Sequence, residues 1–189
     1  MAGGTLNRVT SRFRCSRLVA TCAFVTLLAA SESQQPAVRV EPRDALGPRA
    51  IETPTQNAVI RDYLQAWRSL DNAFQQNRPE LLDSDFVGIA KEKLTRAIRE
   101  QQQLGIHTLF EDQAHDVSLG FYSPEGLSVQ LIDQADYHVQ IVDHEKTLGT
   151  KHVRARYVVV LTPTEVQWKV RVLQAAPQQE NTLDVQGNP

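Results

Sequence analysis

Between residues 127 and 172 apolar and polar residues alternate: LSVQLIDQADYHVQIV, then DHEKTLGTK, HVRARYVVVL, TPTE and VQWKVRV. An apolar residue at every second position marks a strand with one buried face. The stretch therefore predicts three antiparallel strands with turns at DHEKTLGTK and TPTE. His115, Val117, Leu119 and Phe121 alternate likewise and predict a preceding strand, joined through the turn Ser123-Pro124-Glu125-Gly126. Side-chain parity then suggests a register, because a one-residue slip turns every apolar side chain to the wrong face. With Leu161 opposite Val166, His152 opposite His144 and Phe121 opposite Leu127, the odd-numbered apolar residues share one face. In this register His115 faces Asp133, the one residue on the odd side of 127–141 that is neither apolar nor aromatic.

Ahead of the strands the apolar spacing changes to threes and fours. Ile60, Tyr63, Leu64, Trp67, Leu70 and Phe74 form one stripe of a helix that starts near Thr53 or Thr55, with Pro54 in its first turn, and stops before Pro79. A short helical turn over 79–83 is expected next. A second helix follows over about 85–103, with Phe86, Ile89, Ala90, Leu94, Ala97, Ile98 and Gln101 inward and Gly105 at its end. The fold class is α+β: two to three N-terminal helices packed on one face of a curved four-stranded antiparallel sheet.

The ends of the chain differ from this middle. Arg8, Arg12, Arg14 and Arg17 precede the apolar run LVATCAFVTLLAA, and no acid occurs before Glu32. That order describes a secretory signal peptide, or a signal anchor left uncleaved, over residues 1–31. The run is shorter than the roughly 20 residues of a spanning helix. Pro36, Pro42, Pro48 and Pro54 punctuate a polar stretch that reads as an extended, disordered linker over 32–54. The domain is then expected over 55–175 and a disordered polar tail over 176–189.

Both cysteines, Cys15 and Cys22, lie in the leader, so the domain has no cysteine for a disulfide, a nucleophile or a thiolate metal site. Removing four arginines and no acid takes the formal charge from −2 to −6. An acidic domain without a basic stripe is a poor partner for nucleic acid.

DYLQAWRSLD in the first helix and YVVVLTPTEVQWKVRVLQ in the closing hairpin resemble the nuclear transport factor 2-like superfamily over roughly residues 55–174. The resemblance implies a cone-like α+β fold. Its members include isomerases and dehydratases, ligand binders and membrane-tethered assembly domains, so it does not choose a function. The superfamily's early strand between the helices is not evident, which points towards its envelope and import-motor relatives.

Asp133 and His115 are the candidate catalytic pair. A carboxylate oriented by histidine near Tyr137 suits a general base. Alternatively, a bulge at Gln134-Ala135 turns Asp133 to water. Tyr63, Trp67, Phe86, Tyr137, Tyr157 and Trp168 either line a ligand pocket at the mouth of the cone or form ordinary core. His144 and His152, with Asp143 and Glu145, could gather at one hairpin end as metal ligands, but a solvated polar turn accounts for them; no metal or cofactor is assigned. On the outer sheet face, Val142, Val158 and Val160, with Arg156 opposite Arg171, offer a surface for self-association.

The expected function is an exported or membrane-tethered, non-enzymatic binding or assembly module of the cell envelope, periplasmic or extracellular. The alternative is a small-molecule binder or a hydratase or isomerase using the cone pocket. Expected partners are a second copy, an envelope protein or a small apolar ligand. No nucleic acid is expected, and membrane contact only through the N-terminal segment.

Overall fold

The computed structural model describes residues 37–41 and 49–176. The leader, most of the linker and the tail after Ala176 lie outside the described residues. The elements are strand β1 (Ala37–Glu41), helix α1 (Thr53–Gln76), a short 3-10 turn (Pro79–Leu82), helix α2 (Gly88–Leu104), and strands β2 (Ile106–Tyr122), β3 (Val129–Asp143), β4 (Lys146–Pro163) and β5 (Trp168–Ala175). The fold is α+β, with two helices and a curved mixed sheet.

α1 forms where the three-and-four pattern predicts it. Val59, Tyr63, Ala66, Trp67, Leu70 and Ala73 make a continuous buried stripe. Pro54 stands in the first turn, where its missing N–H is not needed, and Asn77 ends the helix with φ 55°. α2 is shorter than expected. Gly88, at φ 55°, opens it, so Asp85 and Phe86 lie in the loop before it. Ile89 is 49% exposed and does not belong to the inner face, whereas Ala90, Ile98 and Gln101 are buried.

Among the described residues the sheet has five strands in the order β1-β2-β3-β4-β5, not the expected four. The additional strand comes from the segment read as a linker. Ala37–Glu41 pairs in parallel with β2, which makes the sheet mixed and carries the ordered domain upstream of residue 55. The remaining neighbours are antiparallel.

Parity matches the sequence pattern along β3 and the facing middle of β2 and β4, but the registers are shifted. Two bulges reverse parity beyond them: Tyr122 is buried where Phe121 was expected, and Val172 pairs with outer-face Val160 while Leu173 packs on the core. His115 has Ala135 as its Cα partner, not Asp133. His152 faces His138 rather than His144, and Leu161 faces Val170 rather than Val166. The β3–β4 turn is tighter than DHEKTLGTK suggested: His144, with φ 53°, stands at its corner and the ladder resumes at Lys146. Val166 lies in the β4–β5 turn and is 88% exposed. All these shifts leave odd β3 residues facing the helices. Val129, Leu131, Ala135 and Tyr137 are buried there with Val117, Leu119, Val159, Leu161 and Val170. Register shifts at Glu111/Ala114, Leu119/Phe121, Ile141/Val142 and Val160/Leu161 mark bulges, which bend strands and increase local twist.

Candidate functional site

Asp133 is the centre of a polar cluster inside the core. It sits on β3 between the inward-facing Leu131 and Ala135, and no bulge at Gln134-Ala135 turns it out. Its side chain and that of His115 are both 0% exposed. An isolated carboxylate in such a place carries a large desolvation cost, so it needs donors. Two converge on one oxygen. The Tyr63 hydroxyl donates to Asp133 Oδ2 at 2.6 Å, and His115 Nδ1 lies 2.8 Å from the same atom. A carboxylate neighbour selects the tautomer with the proton on Nδ1. Burial, then the adjacent Asp133 charge, holds the Tyr63 hydroxyl pKa well above the ordinary tyrosine value.

Aromatic rings close over this cluster. Trp67, one turn along α1 from Tyr63, lies 4.9 Å from the His115 ring, 5.8 Å from Tyr137 and 5.7 Å from Tyr157 between centroids. The Tyr137 and Tyr157 hydroxyls meet at 2.6 Å. The ladder between these two tyrosines contains the pair Ala135–Ala155, two small side chains that leave room for the rings. Burial raises the pKa of both hydroxyls. Three buried polar atoms here have no hydrogen-bond partner: Asp133 Oδ1, His115 Nε2 and Trp67 Nε1.

The six aromatic residues expected in a pocket thus divide. Tyr63, Trp67, Tyr137 and Tyr157 surround the Asp133–His115 pair. Phe86 instead bridges Val170 on β5, and the Trp168 backbone N–H donates to Asp62 Oδ2 at 2.9 Å, tying β5 to α1. His144 and His152 do not gather. His144 pairs with its neighbour Asp143 at 2.6 Å, while His152 bonds Asp136 and its ring lies 4.9 Å from that of His138. Among the described residues no group of three or more His, Cys, Asp or Glu side chains is placed to hold a metal ion.

Two polar clusters escaped the sequence reading. Asp85, 2% exposed, accepts hydrogen bonds from Ser69, at 2.5 Å, and from Ser84, and so fixes the loop before α2 against α1. Ser69 and Asp62 both lie among the buried residues of α1, and a polar residue in that position signals a partner elsewhere. On the outer face Asp136 accepts from His152 and from Arg154 at 2.6 and 2.8 Å; these bonds, His152 first, lower its pKa.

No protein-family model and no curated protein matches the chain. Solved structures do. The intermembrane-space region of the chloroplast protein ARC6 is similar at 15% identity, with a TM-score of 0.53 over 67% of this chain and 98% of that one. A provisionally named scytalone dehydratase from Novosphingobium aromaticivorans matches at 13% identity and a TM-score of 0.47, over 67% of this chain and 89% of its own. A provisionally named NTF2-like dehydratase from Streptomyces avermitilis matches at 12% identity and a TM-score of 0.44, over 64% and 97%. At these identities the likeness is one of fold: the chain shares an α+β fold with the intermembrane-space region of ARC6.

Proposed function

We infer that this domain is a non-enzymatic binding or assembly module held on the outer side of a membrane by its N-terminal segment. The observation that carries this reading is the complete burial of the Asp133–His115 pair on the inner face: both side chains are 0% exposed. A general base has to reach its substrate's proton within hydrogen-bond distance or through one water. Here Tyr63, Trp67, Tyr137 and Tyr157 occupy the space where a substrate would stand, and the pair acts as a fastening between α1, β2 and β3. The arginine-then-apolar order of residues 8–30 supports export or anchoring, and likeness to a region located in an intermembrane space is in keeping with an envelope-side position.

A second reading, a small-ligand site between α1 and the sheet, is favoured by the three unpartnered atoms Asp133 Oδ1, His115 Nε2 and Trp67 Nε1. Diethylpyrocarbonate modification of the purified full chain, mapped by mass spectrometry, separates the two. The binding-module reading expects His115 to be untouched in the native protein and modified in urea, while exposed His144 reacts in both. Rapid native modification of His115 would favour the ligand site. Export is tested with a C-terminally tagged full chain in a bacterial host. Digestion by protease added to spheroplasts is expected; protection until the inner membrane is dissolved would overturn it.

A further inference from the structure

The β2 edge between Ala114 and Ser118 holds a short segment of the chain's own N-terminal region, and this arrangement has the features of a replaceable ligand. β1 is five residues long, comes from a Pro-punctuated polar stretch, and pairs in parallel with β2 alone. Ala37, Val38 and Arg39 are exposed, Val38 to 38%. Its register is Ala37 with Ala114, Val38 with His115, Arg39 with Asp116, Val40 with Val117 and Glu41 with Ser118. Val38 and Val40 therefore share the face of His115 and Val117 at the rim of the core. Arg39 stands on the other face, opposite Asp116. The backbone ladder supplies affinity and alternate side chains supply selectivity, as in recognition of an extended peptide by a sheet edge.

The own strand leaves part of this surface unfilled. A depression of about 380 Å³ lies along the seam, between residues 37–39 of β1 on one side and residues 114–116, Gln134, Asp136 and Arg154 on the other. Ala37 and Ala114 are the small residues of the pair. The wall facing β1 contains two acids, Asp116 and Asp136, and one arginine, Arg154, which is already bonded to Asp136; Arg39 of β1 stands opposite Asp116 and would leave with the strand. A longer basic side chain at the position of Ala37 would occupy this hollow beside the acids.

We propose that the β2 edge is a peptide-acceptor site, occupied in cis by residues 37–41, which an extended segment of a partner protein takes over. The partner segment has β-branched residues at alternate positions, to replace Val38 and Val40, and basic residues at the positions of Ala37 and Arg39. This rests on the binding-module reading and identifies the surface that binds. Its failure is separable, because peptide exchange is measured independently of export and of His115 modification.

The test uses the full chain in mild detergent, with Cys15→Ser and Cys22→Ser, and two further substitutions, Ala37→Cys and Ala114→Cys, at a directly opposed pair. The probe is a fluorescent peptide of sequence PKVRVEP, compared with PAVRVEP. Oxidation is expected to lock β1 in place and abolish binding; reduction restores it, with the lysine peptide at least five-fold tighter. A second variant, Val38→Asp with Val40→Asp, disfavours the cis strand and is expected to bind the probe at least ten-fold more tightly than the parent, because a site freed of its internal competitor is fully available. Binding indifferent to oxidation, or equal for both peptides, overturns the proposal. So does a disulfide formed between chains on a non-reducing gel, which would make the occupant a second copy. If the aspartate variant does not fold, the redox comparison decides alone.

Discussion

His115 stands diagonal to Asp133 in the sheet, with Ala135 as its Cα partner, yet its Nδ1 lies 2.8 Å from Asp133 Oδ2. Diagonal residues on one sheet face are about 7–8 Å apart at Cα, within reach of long or aromatic side chains. The contact thus depends on both residues facing inward rather than on their being directly opposed. It joins β2 to β3, and the Tyr63 hydroxyl on the same oxygen joins both to α1. A structural role for this cluster has measurable consequences.

Removing the acceptor leaves two buried donors without one. Asp133→Leu is expected to cost about 3–5 kcal/mol, as for breaking a buried pair from one side. Asp133→Asn, which keeps an acceptor oxygen, is expected to cost about 1–3 kcal/mol. Urea unfolding followed by tryptophan fluorescence checks both. An Asp133→Leu protein as stable as the parent would remove the cluster from the list of structural determinants.

Tyr63, Tyr137 and Tyr157 all have raised pKa values, burial being the first cause in each case. Tyrosines in the unfolded chain ionise near pH 10. Between that value and the higher folded values the native state keeps protons that the unfolded state has lost. Stability from these hydroxyls is therefore complete below about pH 10 and lost as pH rises above it. Absorbance at 295 nm should show these three tyrosines ionising together with the loss of native fluorescence. A gradual titration of all the tyrosines near pH 10 in folded protein would contradict the burial argument.

Asn77 ends α1 in the left-handed region, and its side chain donates to the Ile106 carbonyl at 2.9 Å and accepts from Gln101. Asn77→Gly relieves the backbone but loses these bonds, while Asn77→Ala loses both. The glycine variant is expected to be destabilised by about 1–2 kcal/mol, and the alanine variant by about 1 kcal/mol more. Thermal melts of the two variants give the order. Equal melting temperatures would show that the φ of 55° carries no strain.

The outer face is the expected surface of self-association, although its motivation has changed. Arg156 does not oppose Arg171: Val172 pairs with Val160, and the Ala176 N–H donates to the Arg156 carbonyl. Val142 also lies apart, paired with Thr147 near the turn. Ile132 faces Val158, and Val160 faces Val172, so an apolar patch remains. Sedimentation at micromolar concentration is expected to give a dimer that Val158→Lys with Val160→Lys dissociates. A monomeric parent protein rules out this surface.

The sequence by itself determined which residues of β3 and of the first helix face inward, but not those beyond the bulges, where Tyr122 replaces Phe121 in the core and Val172 turns outward. Alternation fixes parity, and parity placed Asp133 and His115 among the core side chains, as three-and-four spacing placed Tyr63 and Trp67 on one stripe of α1. Register was decided by the tertiary structure. A slip of an even number of residues preserves parity, so the pattern cannot distinguish Asp133 from Ala135 as the partner of His115; the β2–β3 bulges at Glu111/Ala114 and Leu119/Phe121 accompany the choice. The same limitation hid β1. Two valines in a polar, proline-marked stretch bury little by themselves, and they form a strand only where the folded β2 edge offers a ladder and the rim beside His115. The convergence of Tyr63 and His115 on one Asp133 oxygen also depended on packing, because contacts 70 and 18 residues apart leave no local periodicity in the chain.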